Sequence, residues 1–478
     1  MPPRRQVYLL DPQVLTPEVI AVTFAKTSRS PQSFREIAAG LTGEKSAEFH
    51  EKWVVGYGHA SVAEHAVLHI AVENISRLAV EALESCRLAS YTEKSTRYQQ
   101  WGSQDFFPPL ELKSGVLAEE FNGTCGLLFS TYLNIQPALT EAIKKDCPCE
   151  EGESEAAWDR RIHAMVVDIS RFLLPAAAIA NVGITINARA LEHTLRKLLS
   201  HPLAEVREIG GEMKAAALKS CPTLIKYIGE VPYYASAAEK LQKCSGEAKM
   251  ESSNRNWCNL VSFDPEGESR VLAAALYRFG ECSFERNFER VTKMSVADKE
   301  ALAQDLLGDL EEHDQPLREL EYASCTFDLV IDQGAFYELK RHRMMTLTPQ
   351  NLTCDLGYAI PKYIVTSGVE KEYCHAMDTA ASTYHKLAGR YPAIASYIVP
   401  NGFNRRVMFS SNLRSLFHLI TLRSASNAHF SMRRLAGCMA EKVGEVYPIL
   451  GGYMNLSGCE PWEQIESQYF HRTGISSK

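Results

Sequence analysis

Residues 75–87 read Ile-Ser-Arg-Leu-Ala-Val-Glu-Ala-Leu-Glu-Ser-Cys-Arg, and residues 331–343 read Ile-Asp-Gln-Gly-Ala-Phe-Tyr-Glu-Leu-Lys-Arg-His-Arg. Ile, Ala, Leu and the final Arg coincide at an offset of 256 (343 − 87). Farther along, Pro175 meets Pro400, Asn187 meets Asn412, Arg189 meets Arg414 and His193 meets His418, at an offset of 225 (412 − 187). The same unit is therefore written twice, and the first copy carries 31 extra residues (256 − 225) between the anchors. The polar run from Cys147 to Glu155 is the natural place for much of that insertion. Self-similarity at this scale sets the architecture before any local reading does.

Around the anchors, residues 66–74 and 323–331 have strand-like composition and length. Ile75, Leu78, Ala79, Ala82, Leu83 and Cys86 recur at helical spacing, which predicts a helix running up to Arg87. Asn412 is placed to cap a helix whose apolar stripe is Leu413, Leu416, Phe417 and Ile420. On it Arg414 and His418 share a face, while Arg423 lies about 180° round at ~100° per residue. Further helices are expected at 116–145, 190–218, 266–310 and 370–390. The polar stretch beginning at Lys240 reads as a linker, giving repeats at 1–243 and 258–478 joined by 244–257.

The chain has 478 residues, 51 Lys+Arg against 58 Asp+Glu, and 45% hydrophobic and 23% charged residues, an ordinary globular balance. Length alone suggests about three domains at roughly 150 residues each, and the repeat replaces that count with two larger units. A net charge of −7 argues against bulk, sequence-independent nucleic-acid binding. Thirteen scattered Cys and an opening MPPRRQVYLLDPQ without an apolar core suit reduced thiols in the cytoplasm. No run of ~18 apolar residues is present, so no membrane span is expected.

Common signatures are missing: there is no Walker loop, no Gly-x-Gly-x-x-Gly, no Gly-x-Ser-x-Gly and no HExxH. His59, His65 and His69 match no ligand spacing and Cys147-Pro-Cys149 has no second pair, so no metal site is expected. An Arg-His-Arg at a helix C-terminus is favoured by the helix dipole alone, at ~0.3–1 kcal/mol each. What exceeds that plain reading is Arg set beside hydroxyls and Glu in both halves. Guanidinium forks suit phosphate and the planar edge of a nucleobase or flavin, which points to an anionic nucleotide.

The stretch Glu84–Tyr98, ESCRLASYTEKSTRY, closely resembles the signature RHRxxSxxxxSxRY of the flavin-dependent thymidylate synthases. The second half supplies RHRMMTLTPQNLTC at the corresponding place. Asn412, Arg414, His418 and Arg423 are similar to the family's later element, and His59-Ala-Ser61-Val-Ala-Glu64-His65 to an upstream one. Each copy departs from the pattern. The first has Ser85-Cys86 for Arg-His and Leu198 for the late Arg, but keeps Arg87, Ser90, Ser95, Arg97, Tyr98 and Arg171. The second keeps Arg341-His342-Arg343 and Arg423, but has Asn351, Thr353, Cys354 and Ser396 where Ser, Arg, Tyr and Arg are expected. Each half retains what the other lost.

The resemblance implies an α+β fold, each copy a mainly antiparallel sheet flanked by helices. Family enzymes are homotetramers with sites built from more than one subunit. It follows that this chain fuses two subunits, keeps one composite site, and associates as a homodimer mimicking a tetramer. The implied reaction converts dUMP to dTMP, with carbon from methylenetetrahydrofolate, hydride from reduced FAD, and NADPH reducing the flavin. Arg423 and Arg341 take the catalytic roles by this resemblance, while Glu93, Ser95, Arg97, Tyr98, Arg171 and Glu338 bind substrate. Arg341, His342, Arg343, Asn412, Arg414 and His418 hold the flavin, with Ser61 and Glu64 from the first half. The persistence of Asn187, Arg189 and His193 leaves room for a second flavin or nucleotide pocket. The alternatives are a degenerate flavin- or nucleotide-binding paralogue and a related flavoenzyme modifying C5 of a pyrimidine nucleotide.

Overall fold

The computed structural model describes residues 5–97, 99–245, 257–311, 314–454 and 460–474. Tyr98 and most of the expected linker, residues 246–256, lie outside the described residues. The chain forms two compact units: Met1–Ser95, Asp105–Ala118 and Ala177–Lys249 make the first, and Thr96–Gln104, Glu119–Ala176 and Met250–Lys478 the second. Residues 119–176, first-repeat in sequence, thus belong to the second unit.

The first unit is built on a three-stranded antiparallel sheet of β1 (Val67–Ser76), β2 (Ala89–Glu93) and β3 (Ile179–Asn187), in the order β1-β3-β2. The pairing of β1 with β3 shifts by one residue between Val72 and Ile75. Asn74 sits in that bulge at φ 58, a left-handed conformation that Asn tolerates better than most residues. Ser76 then caps the helix Arg77–Leu83 by accepting from the Ala79 amide. That helix stops at Leu83 rather than reaching Arg87. Because β2 begins at Ala89, residues 84–88 are used to reverse the chain.

The second unit holds a four-stranded sheet of β4 (Cys258–Phe263), β5 (Ser324–Asp332), β6 (Thr346–Pro349) and β8 (Asn404–Asn412), in the order β4-β5-β8-β6. A small ribbon pairs β7 (Ile360–Pro361) with β9 (Phe470–Arg472). Leaving out β4, the order β5-β8-β6 repeats β1-β3-β2. Register repeats as well: Ser90 faces Thr185 as Thr346 faces Ser410, and Ile75 faces Ala180 as Ile331 faces Arg405. Helices Ala188–Leu199 and Leu413–Ser424 start and stop at matched positions, each capped by its Asn. Phe327, Leu329, Val407, Phe409, Leu416 and Ile420 close the core of the second unit, each at 0% exposure. Burying each of them fully contributes about 1.5–3 kcal/mol.

Several expected helices are divided. The stretch 116–145 becomes Val116–Asn134 and Gln136–Asp146, the second opening with Pro137 near its N-terminus. The stretch 190–218 breaks at Pro202 into Ala188–Leu199 and Ala204–Leu218. The stretch 266–310 becomes Gly267–Phe279, Phe284–Thr292 and Val296–Leu307, with Ser283 and Ser295 as N-caps. Proline lacks the amide a continuing helix needs, and a serine hydroxyl competes for helical amides as a cap, so periodicity alone overran both. The stretch 370–390 is one helix, Glu370–Ala388. The first-repeat insertion is helical rather than a loop: Gln136–Asp146 and Glu155–Ser170 stand where the second repeat has the short turn Pro392–Ala395.

Within the second unit the matched prolines pair with each other, in an antiparallel bridge Pro175↔Pro400. Neither proline can donate. Instead Ala176 N donates to Val399 O and Asn401 N to Leu174 O, both at 3.0 Å. Ala176 corresponds to Asn401 and Leu174 to Val399, so the two bonds are the same bond seen from opposite repeats.

Candidate functional site

On Leu413–Ser424 the residues Leu413, Leu416, Phe417, Leu419 and Ile420 are buried. Arg423 lies seven residues beyond Leu416, so it leaves the helix on the buried side, with its side chain 15% exposed. Arg414 lies off that stripe, gives Nε to Pro316 O at 2.8 Å and pairs with Glu321 at 3.3 Å. The opposition between Arg414 and Arg423 read from spacing is thus realised in the fold.

Arg423 meets Glu338, which stands in the fully buried helix Gln333–Leu339. Nη1 of Arg423 donates to Glu338 Oε2 at 3.1 Å and Nη2 to the Glu338 carbonyl at 3.3 Å. Its Nε donates to Nε2 of His342 at 3.0 Å. The other carboxylate oxygen of Glu338 accepts from Nη2 of Arg171 at 3.2 Å. Arg171 opens the short turn Arg171–Leu173 that follows Glu155–Ser170, with its side chain 3% exposed. Arg97 completes the cluster: Nε and Nη2 donate to the two Asp168 oxygens, both at 2.7 Å, and Nη1 donates to Asn427 O at 3.1 Å.

Charge governs this site. Burial works against ionisation of Glu338, but the guanidinium groups of Arg171, Arg423 and Arg97 overcome it and hold the carboxyl below its ordinary range. Burial lowers Arg423, and the charges of Arg341 and Arg97 push the same way against the pull of Glu338. His342 is driven down to about 3 by burial, then by Arg423 and His418. Nε of Arg171 is buried without a hydrogen-bond partner among the described residues. A buried unsatisfied donor among several Arg suits an anion with oxygen acceptors.

The other expected residues are placed as follows. Arg341 is exposed, and Arg343 is partly buried. The His418 ring lies 5.9 Å from that of His342 and borders a cleft of about 620 Å³ with Phe417, Thr421, Asn427 and Tyr453. Asn412 accepts from Ser415 N at 2.9 Å, so its carbonyl serves as a helix cap. In the first unit, Glu93 is ion-paired with Arg77 at 3.0 Å, both side chains 2% exposed, and Ser95 is partly buried. Ser61 and Glu64 line a separate first-unit cleft of about 660 Å³, with Arg29 over the Trp53 ring at 4.9 Å. Glu64 is paired there with Arg189. Among the described residues no group of three or more His, Cys, Asp and Glu is arranged to hold a metal ion.

Sequence reasoning passed over Asp168 and His429. The buried His429 caps the helix Phe430–Val446, accepting from Ser431 N at 3.2 Å, and contacts Asp168 O through Nε2 at 3.1 Å. Burial pushes His429 far below the ordinary histidine range. The available signals were weak: an acid three residues before Arg171, and a His at the head of a helical run.

Two sheets of the same order and register, with an arginine-rich cluster in the second unit that draws residues from both repeats, define a tandem-repeat α+β protein. The chain belongs to the thymidylate synthase complementing protein family, whose model matches residues 11–223 and 259–449. It is similar to a UPF0159 protein of Chlamydia muridarum, 30% identical over 432 residues that cover 86% of this chain and 81% of that protein. A UPF0159 protein of Thermoplasma acidophilum is 26% identical over 451 residues, covering 86% and 89%. A flavin-dependent thymidylate synthase of Clostridium tetani is 27% identical over 236 residues, covering 49% of this chain and 91% of that protein. A protein matched almost whole by half of this chain is the size of one repeat.

Proposed function

We propose that the chain is a flavin-dependent thymidylate synthase with one composite site. In this reading dUMP, methylenetetrahydrofolate, NADPH and a proton give dTMP, tetrahydrofolate and NADP⁺. One observation carries it: Arg97 and Arg171 of the first repeat stand in one cluster with Glu338, His342 and Arg423 of the second. Arg97, Arg171, His342 and Arg423 are positions that the damaged motifs retained.

Arg171, with its unsatisfied buried Nε, and Arg97 bind the nucleotide phosphate, and phosphate competes with Asp168 for the Arg97 fork. Arg423 stabilises the charge that develops on the uracil ring as C5 attacks carbon, and one well-placed donor of this kind contributes roughly 3–4 kcal/mol. Arg341 reaches nucleotide and flavin from its exposed position.

The cleft beside His418 has the size and the mixed aromatic and hydrogen-bonding lining that a flat heteroaromatic ring requires. Flavin held beside His418 by Arg343, Asn412 and Arg414 would supply the hydride. The protein's share is orientation and positive charge, so no enzyme nucleophile is needed.

The test is dTMP formation by the purified chain with FAD, NADPH, methylenetetrahydrofolate and dUMP. The reading expects turnover in the wild type and loss of about 100-fold or more in Arg97→Ala and in Arg423→Ala. Mixing the two variants restores nothing if both arginines act in one chain's site. A wild type that binds dUMP and flavin without making dTMP would point to the degenerate paralogue or to other C5 chemistry.

A further inference from the structure

Three of the five N–H bonds of Arg423 are committed, two to Glu338 and one to His342. Glu338 holds the outer edge of the fork. The bond from Nε to His342, at 3.0 Å, fixes the third direction and with it the plane of the guanidinium. The remaining N–H groups lie in that plane, so whatever sets the plane sets their aim.

The acceptor is an imidazole nitrogen. To accept from a guanidinium, Nε2 must carry its lone pair, which leaves the proton on Nδ1 and the ring neutral. A protonated ring at this distance would set two cations against each other. The charged and titratable neighbours are Arg423 and His418 on Leu413–Ser424, Glu338 on its own helix, and Arg341 beside it. Burial, Arg423 and His418 all favour the neutral form.

We propose that His342 is a positioning residue for Arg423, its neutral imidazole setting the plane of the guanidinium. This differs from the flavin-holding role the motif implies. Only its turnover arm rests on the synthase reading.

The test uses the full-length protein with His342→Leu, which removes the acceptor, and His342→Gln, whose side-chain carbonyl restores one. Melting curves establish that each variant is folded. Phenylglyoxal, which modifies arginine, is followed at Arg423 by peptide mass spectrometry. Modification in His342→Leu is expected to be about fivefold faster than in the wild type, with His342→Gln within about twofold of it. Equal rates in wild type and His342→Leu overturn the proposal. In turnover, His342→Leu and Arg423→Ala each lower kcat about 30-fold or more, the double variant loses nothing further, and flavin affinity is unchanged. Independent, multiplying losses, or weakened flavin binding with unaltered Arg423 reactivity, overturn it as well. A wild type that makes no dTMP sinks the synthase reading and leaves the modification rates to decide His342.

Discussion

At Glu338 one buried carboxylate stands between two guanidinium groups, and its desolvation is offset only while both partners stay in place. Glu338→Ala leaves Arg171 and Arg423 facing each other without a counter-charge, which costs about 3–5 kcal/mol. Glu338→Gln keeps shape and an acceptor, so its loss is expected to be smaller. Denaturant unfolding checks both, and a Gln variant as stable as the wild type beside a destabilised Ala variant would mean that packing rather than charge holds the cluster. The arginines here were legible because motif spacing marks them individually. Asp168 and His429 were not, since each acts on a neighbour: Asp168 clasps Arg97, and His429 reaches a backbone oxygen. A linear pattern carries no sign of a partner 261 residues away.

The best reading at the scale of elements came from the matched pair Asn187 and Asn412. Each was legible as a conserved offset between halves, and each caps its helix by accepting an amide three residues on. Asn187→Ala and Asn412→Ala are each expected to cost about 1 kcal/mol, read as a lower denaturant midpoint. A larger loss for Asn412 alone would mean that its side chain has a structural partner beyond the cap. The two strands expected at 66–74 and 323–331 lie within two residues of Val67–Ser76 and Ser324–Asp332, because their composition and length are a strong local signal. Helix ends were not, since a proline or a capping serine interrupts a helix without disturbing the apolar period around it. The insertion misled for a related reason: its acidic, polar centre is the loop of a helical hairpin whose two arms look unremarkable alone.

Across the whole molecule, acid stability follows from buried neutral histidines. Burial holds His342 at about 3 and His201 at about 4, and it also lowers His50 and His429. In each the folded pKa lies below the unfolded value of about 6.5, so the unfolded chain takes the proton first. Stability is therefore fully present above about pH 6.5 and falls from there towards pH 3–4. At pH 5, His342 and His201 each withdraw about 2 kcal/mol. Asp332 and Glu268, raised by burial, oppose this in part. Unfolding curves between pH 7.5 and 4.5 check the direction. No helix among the described residues is long and apolar enough to cross a membrane. Pairing of two chains into a four-repeat assembly is expected, and light scattering should give about twice 53.4 kDa. A stable monomer that turns over dUMP would remove that element.

The central claim is one nucleotide site per chain, shared between unequal repeats. Calorimetric titration of dUMP into the flavin-loaded protein measures it most directly. The expected result is one dUMP bound per chain, lost both in Arg97→Ala and in Arg423→Ala. Two dUMP per chain, or full binding retained when either arginine is removed, would contradict it.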